Sequence, residues 1–70
     1  MDRTPVQSSN LRSVGYDLLR EILEIEFHSG GVYQYQGVAP LVFNGLMSAG
    51  SHGSFFHAYV KNIYVYHKIR

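Results

Sequence analysis

Leu23-Glu24-Ile25-Glu26-Phe27 alternates apolar and acidic residues without a break, and Val32-Tyr33-Gln34-Tyr35-Gln36 resumes the alternation after His28-Ser29-Gly30-Gly31. A period of two marks a strand with one buried face, and the paired glycines supply the positive φ that a tight hairpin needs. The two runs specify a hairpin with Leu23, Ile25, Phe27, Tyr33 and Tyr35 on the core side and Glu24, Glu26, Gln34 and Gln36 toward water. A helix through the first run would scatter Leu23, Ile25 and Phe27 around its circumference. Leu18 and Ile22 do stand four apart behind Asp17, which could cap a helix. The alternation overrides that weaker signal, and residues 17–21 read as a turn.

The flanking segments follow from the same reasoning. Residues 1–9, rich in Ser, Thr, Pro and Gln, read as a flexible lead-in to one domain spanning 10–70. Leu11 to Tyr16 alternates weakly, interrupted by Gly15, and makes a first strand. After Gly37 the period changes. Pro40 suits the first turn of a helix, where its missing N–H costs nothing, and Val42, Leu46 and Ala49 follow at helical spacing. Gly50 is placed to end that helix and Ser51 to cap another, along which Phe56, Val60 and Ile63 share a stripe. Ile63-Tyr64-Val65-Tyr66-His67-Lys68-Ile69 closes the chain as a strand. The expected fold is α+β: a small antiparallel sheet in the order β-β-β-α-α-β, with two short helices packed on one face. Its expected core is Leu23, Ile25, Phe27, Val42, Leu46, Phe56, Val60, Ile63 and Val65, and Gly30 and Gly53 are read as positions of positive φ.

Size and charge bound what such a domain can do. Seventy residues bury only about 60% of the surface the unfolded chain exposes, and without cysteine neither a disulfide nor a Cys-based zinc site can staple the fold. A hydrophobic content of 46% against 16% charged residues is too apolar for a disordered chain. No apolar run approaches the ~20 residues that cross a bilayer, the polar N-terminus lacks a signal-type segment, and Asp2 stands where myristoylation requires glycine. A soluble cytoplasmic protein without membrane contact is the expectation. The net charge of +1 excludes a strongly basic nucleic-acid arm, yet the charge is divided: all five acids lie within residues 1–26, and from Phe27 onward only Lys61, Lys68 and Arg70 are charged.

The ordered set Ser8-Ser9, Gly15-Tyr16-Asp17, Phe27-x-x-Gly30, Tyr33-x-Tyr35, Ala49-x-Ser51-x-Gly53 and Phe56 resembles the KTSC domain. That short bacterial domain occurs alone and at the C-terminus of some lysyl-tRNA synthetases. The resemblance covers about residues 6–69, and the family's central Tyr-x-Tyr falls on Tyr33 and Tyr35. Ala39 stands where the family commonly has proline, here displaced to Pro40; Phe43 and Phe55 stand where tyrosine is common, and His57 where asparagine is frequent. The two phenylalanines imply that those hydroxyls are dispensable. For function, the family's molecular role is not established, and the resemblance implies only RNA, or a translation-related protein, as partner, from the domain's place beside a tRNA synthetase. Together with the chemistry of the residues, the expectation is a small non-enzymatic binding module without cofactor.

The residues offer several chemistries. Ser51, His52, His57 and Asp17 could be assembled into a nucleophilic site, but no strand leads into Ser51-His52-Gly53-Ser54 as a nucleophile elbow requires, and a helix break followed by a cap explains it better. His28, His52, His57 and His67 include no His-x3-His pair, so no metal site is expected. Tyr33 and Tyr35 either line the core or, if exposed, stack bases. The sharper nucleic-acid candidate is Tyr64, Tyr66, Lys68 and Arg70, which alternate onto one strand face with Lys61 three residues ahead: rings to stack on bases and cations for phosphates. The competing reading is a solvated face, with Lys68 paired to Glu24 or Glu26. Two functions of different kinds follow: weak RNA binding through the C-terminal strand, or a protein-interaction module, monomer or weak dimer, that extends itself through an exposed sheet edge.

Overall fold

The computed structural model describes all 70 residues. Five strands, β1 (Thr4–Pro5), β2 (Leu11–Asp17), β3 (Ile22–Phe27), β4 (Val32–Gln36) and β5 (Tyr66–Lys68), form one antiparallel sheet in chain order, with α1 (Pro40–Ser48) and α2 (His52–Tyr59) inserted between β4 and β5. The α+β architecture stands as read from the sequence, with one strand added at the front. The central hairpin has the register its alternation demands, Leu23 opposite Tyr35 and Ile25 opposite Tyr33. Residues 17–21 turn because the Asp17 carboxylate accepts the N–H groups of Leu19 and Arg20, both at 3.1 Å. That Asx arrangement uses the aspartate the helical reading would have made a cap.

The helices cover one face. Leu11, Val14, Leu23, Ile25 and Tyr35 of the sheet meet Val38, Leu46, Phe56 and Val60 in a single core. Tyr16 stacks on Phe43 with centroids 4.6 Å apart and donates its hydroxyl to the Val38 carbonyl, fastening α1 to β2. Ser51 caps α2, its hydroxyl accepting the Ser54 N–H at 3.2 Å.

Several expectations are corrected. Residues 1–9 are not a free lead-in, since Thr4 and Pro5 pair with Val14 and Ser13. Gly15, which seemed to interrupt β2, is what admits this segment: a Cβ there would lie 2.6 Å from the Asp2 carbonyl oxygen. The second helix stops at Tyr59, because Asn62 adopts φ 66° and turns the chain. Ile63 and Val65, expected in the core, are therefore 60% and 68% exposed, and the last strand shrinks to three residues. Phe27 and Val42 are only partly buried at the core's edge, while Leu11, Val14, Val32 and Val38 are buried in addition. Ala49, not Gly50, ends α1, and Gly53 sits inside α2.

Gly30 does carry the expected positive φ, +105°, whereas Gly53 does not. Gly30→Val should therefore cost about 1–3 kcal/mol, and each kcal/mol lowers Tm by ~4–8 °C in a domain of this size. Gly53→Ala should be tolerated, its added methyl lying 3.4 Å from the Ser8 hydroxyl. Thermal melts of the two variants check the contrast.

The face away from the helices carries two of the five acids, Glu24 and Glu26. Glu24, only 3% exposed, accepts from Gln34 at 2.8 Å and pairs with Arg3, which reaches back over the sheet. Glu26 accepts from Ser13 at 2.8 Å and from Arg70 at 3.1 Å. The expected pairing of Lys68 with these glutamates does not occur; Arg3 and Arg70 take that role. Burial alone would raise the Glu24 pKa, but hydrogen bonds from Gln34 and Arg3, with the Arg3 charge, hold it below the ordinary range. The Ser13 hydrogen bond, followed by the charges of nearby arginines, holds Glu26 low as well.

Candidate nucleic-acid interface

On the helix-bearing face, α2 does not reach the β5 edge. Phe56 stands over Phe27 and Tyr35, with centroids 5.4 and 5.5 Å away and interplanar angles of 69° and 77°. Beyond it Tyr66 leans on both Tyr33 and Tyr35, at 5.5 and 5.6 Å. Tyr33 closes edge-on against Phe27 at 5.5 Å. Phe27, Tyr33, Tyr66, Tyr35 and Phe56 thus form a closed circuit of rings in the edge-to-face and tilted geometries that aromatic quadrupoles favour. The circuit follows from the registers: Tyr35 opposite Tyr66 and Tyr33 opposite Lys68 put those side chains on one face.

The rings line a cleft of about 380 Å³, within the ~300–1,000 Å³ typical of ligand sites. Asn10, His57, Lys61 and Asn62 stand around it, and no acid lines it. A polar cleft of about 460 Å³ continues past Asn10, Gly53 and His57 along Ser8, Ser9 and the start of α2. Tyr35 is buried at the floor, where burial first, then Tyr33 and Tyr66, pushes its phenol up to about 12; it stays a neutral hydroxyl at physiological pH. Tyr33 is half-buried and Tyr66 is 54% exposed. The cations matter as much. Every ion pair is made by Arg3, Arg20 or Arg70, which leaves Lys61 at the cleft and Lys68 beside it unpaired.

The stripe of four residues expected on the last strand is divided. Tyr66 and Lys68 share the cleft's face, and Lys61 comes to it from the loop after α2. Tyr64 precedes the strand and packs half-buried against the core, its N–H bonded to the Val60 carbonyl. Arg70 turns to Glu26 on the opposite face, because the backbone alternation lapses where both Ile69 and Arg70 bond to Val32. Phe27, Phe56, His57 and Asn62 were not foreseen as part of the site. Phe27 was legible, since strand alternation sets it beside Tyr33; the others depend on how α2 packs.

Of the residues weighed for catalysis and metal binding, Ser51, Asp17, His28 and His52 have structural partners, and His57 stands at the cleft. Ser51 caps its helix, Asp17 holds its turn, and His28 and His52 each lie 2.8 Å from a backbone carbonyl oxygen, of Ser8 and Leu46. No three His, Cys, Asp or Glu side chains gather as metal ligands would, and no helix is long and apolar enough to cross a membrane.

A five-stranded meander carrying two helices and a central Tyr-x-Tyr beneath an aromatic cleft defines a small α+β domain class. The profile of the KTSC domain family matches residues 7–64, and the chain belongs to that family. The crystal structure of a KTSC domain protein from Yersinia pestis superposes with a TM-score of 0.96 at 42% identity, covering 99% of this chain and 97% of that one. An uncharacterised protein of Stutzerimonas stutzeri is 48% identical over 61 residues, 87% of this chain and 86% of its own. A lysine–tRNA ligase of Trichormus variabilis is 32% identical over 63 residues, 90% of this chain but 11% of the ligase.

Proposed function

We propose that this domain is a non-enzymatic cytoplasmic module that binds single-stranded RNA weakly in the aromatic cleft, with Tyr66 and Tyr33 offering ring faces and edges to bases and Lys61 and Lys68 attracting phosphates. The observation that carries the reading is the combination at one place of partly exposed rings with two lysines that no carboxylate neutralises. Each stacked base contributes about 1–3 kcal/mol, and each neutralised phosphate adds a salt-dependent term. The small net charge argues for modest affinity. A module joined to a larger protein, as the similar segment of the lysine–tRNA ligase is, gains from effective concentration and needs no more.

NMR titration with a short single-stranded RNA at low salt tests the reading. Amide shifts should concentrate at residues 27, 33, 61–62 and 66–68. The Lys61→Ala, Lys68→Ala double variant should weaken binding and flatten the log–log salt slope by up to about 1.4. Tyr66→Ala should weaken it about tenfold or more with little change in slope. Arg70→Ala, on the other face, should leave the slope where it was. An RNA that shifts no amide at millimolar concentration, or a slope that answers to Arg70 and not to the lysines, would overturn the assignment.

A further inference from the structure

The sheet ends at β5, and the outer side of that strand is open. Val65 accepts from the Gln36 N–H at 2.9 Å and Ile69 donates to the Val32 carbonyl at 2.8 Å, so the odd-numbered residues bond inward to β4. Antiparallel alternation then points the N–H and C=O groups of Tyr66 and Lys68 away from the sheet. Side chains alternate in the other direction. Tyr66 and Lys68 stand on the face of the cleft, while Val65 and Ile69 stand on the opposite face, 68% and 51% exposed. An open edge flanked by exposed β-branched residues is a template for another strand.

We propose that β5 pairs with β5 of a second copy, antiparallel about a two-fold axis through His67, so that Tyr66 lies opposite Lys68 of the other copy. Three registers would bring the outward groups into bonding pairs, and two fail. Placing Lys68 opposite itself sets like charges face to face and requires Arg70, whose N–H and C=O are both engaged by Val32. Placing Tyr66 opposite itself requires Tyr64, whose N–H bonds to the Val60 carbonyl. The remaining register uses only unengaged groups, those of Tyr66 and Lys68 from each copy. It also seats each Lys68 ammonium beside a Tyr66 ring, a cation–π arrangement, and each Val65 against the other copy's Ile69. The strand is self-complementary in that register alone. The two aromatic clefts then adjoin on one face of a ten-stranded sheet, although the pairing itself needs no RNA.

With one short strand per copy the interface falls in the small, transient class, so it is measured at high concentration. Sedimentation equilibrium of the RNA-free protein should show reversible dimerisation between about 10 μM and 1 mM. Over the same range the amides of Tyr66 and Lys68 should lose their solvent exchange. Val65→Glu and Ile69→Lys should each weaken association at least tenfold while leaving the circular dichroism spectrum of the fold intact. The double variant should regain association, because the introduced carboxylate of one copy meets the introduced ammonium of the other only in this register. A protein that stays monomeric at 1 mM, single variants that dimerise like the wild type, or a double variant as weak as the singles would each overturn the proposal.

Discussion

Phe56→Ala should leave the chain largely unfolded at 37 °C. The Phe56 ring is buried, lies across Phe27 and Tyr35, and belongs to the core that joins α2 to the sheet. Removing a buried phenylalanine costs about 3–5 kcal/mol in lost burial and residual cavity. A single core of this size rarely supplies more than about 3–5 kcal/mol, and without cysteine no disulfide supplements it. Far-UV circular dichroism should show the midpoint lowered by tens of degrees or no cooperative transition. Phe56→Leu keeps most of the apolar volume and should still melt cooperatively. If Phe56→Ala melts within a few degrees of the wild type, the ring is not what holds the helix to the sheet.

Arg3→Ala should cost about 1–3 kcal/mol at pH 7, a large effect for a residue just ahead of the two-residue β1. It strips the charged partner from Glu24, whose carboxylate is 5% exposed and would keep only Gln34. The pH dependence identifies the cause. Glu24 and Glu26 titrate below their ordinary values when folded, so their stabilisation is complete above about pH 4.3. It is lost as the pH falls through their lower folded values. Without Arg3, Glu24 loses a hydrogen bond and a charge that offset its burial, so its pKa should rise from its lowered value and the acid limb of the stability profile should move to higher pH. Urea titrations of both proteins at pH 7 and pH 3 should give a difference that shrinks at the acid end. A difference that stays constant with pH would place the role of Arg3 in packing alone.

The central hairpin and the first helix were legible because each is specified by residues adjacent in sequence. Alternation over residues 23–27 and 32–36 sets the register, Gly30 supplies the turn, and Pro40 starts the helix. β1 was not legible, since two residues cannot display a period and their docking depends on the missing Cβ of Gly15, far along the chain. Ile63 and Val65 misled for a related reason. Ile63 continues the helical stripe of Phe56 and Val60 and Val65 follows it by strand alternation, but the left-handed Asn62 turns the chain before either can be used. Of the cleft, Tyr33, Tyr35 and Tyr66 were named from their own strands. Phe56 and His57, from the opposite wall, are set only by packing, and Arg70 was lost to the site because a strand's alternation need not survive its last residue.

Strands that pair in chain order shape how the molecule assembles. β2, β3 and β4 are joined by short turns, so their contacts close small loops and should form early and fast. β5 can pair with β4 only after residues 37–65, both helices included, have been gathered into place, and it returns just three residues of ladder for that closure. It should dock after the hairpin on the folding pathway and detach before it in native-state hydrogen exchange, below the free energy of global unfolding. Tyr66 would swing away with it, opening the ring circuit while the hairpin beneath stays intact. One wall of the cleft is therefore built from a short, late-docking strand, and its exchange rate is the natural clock for anything that enters or leaves.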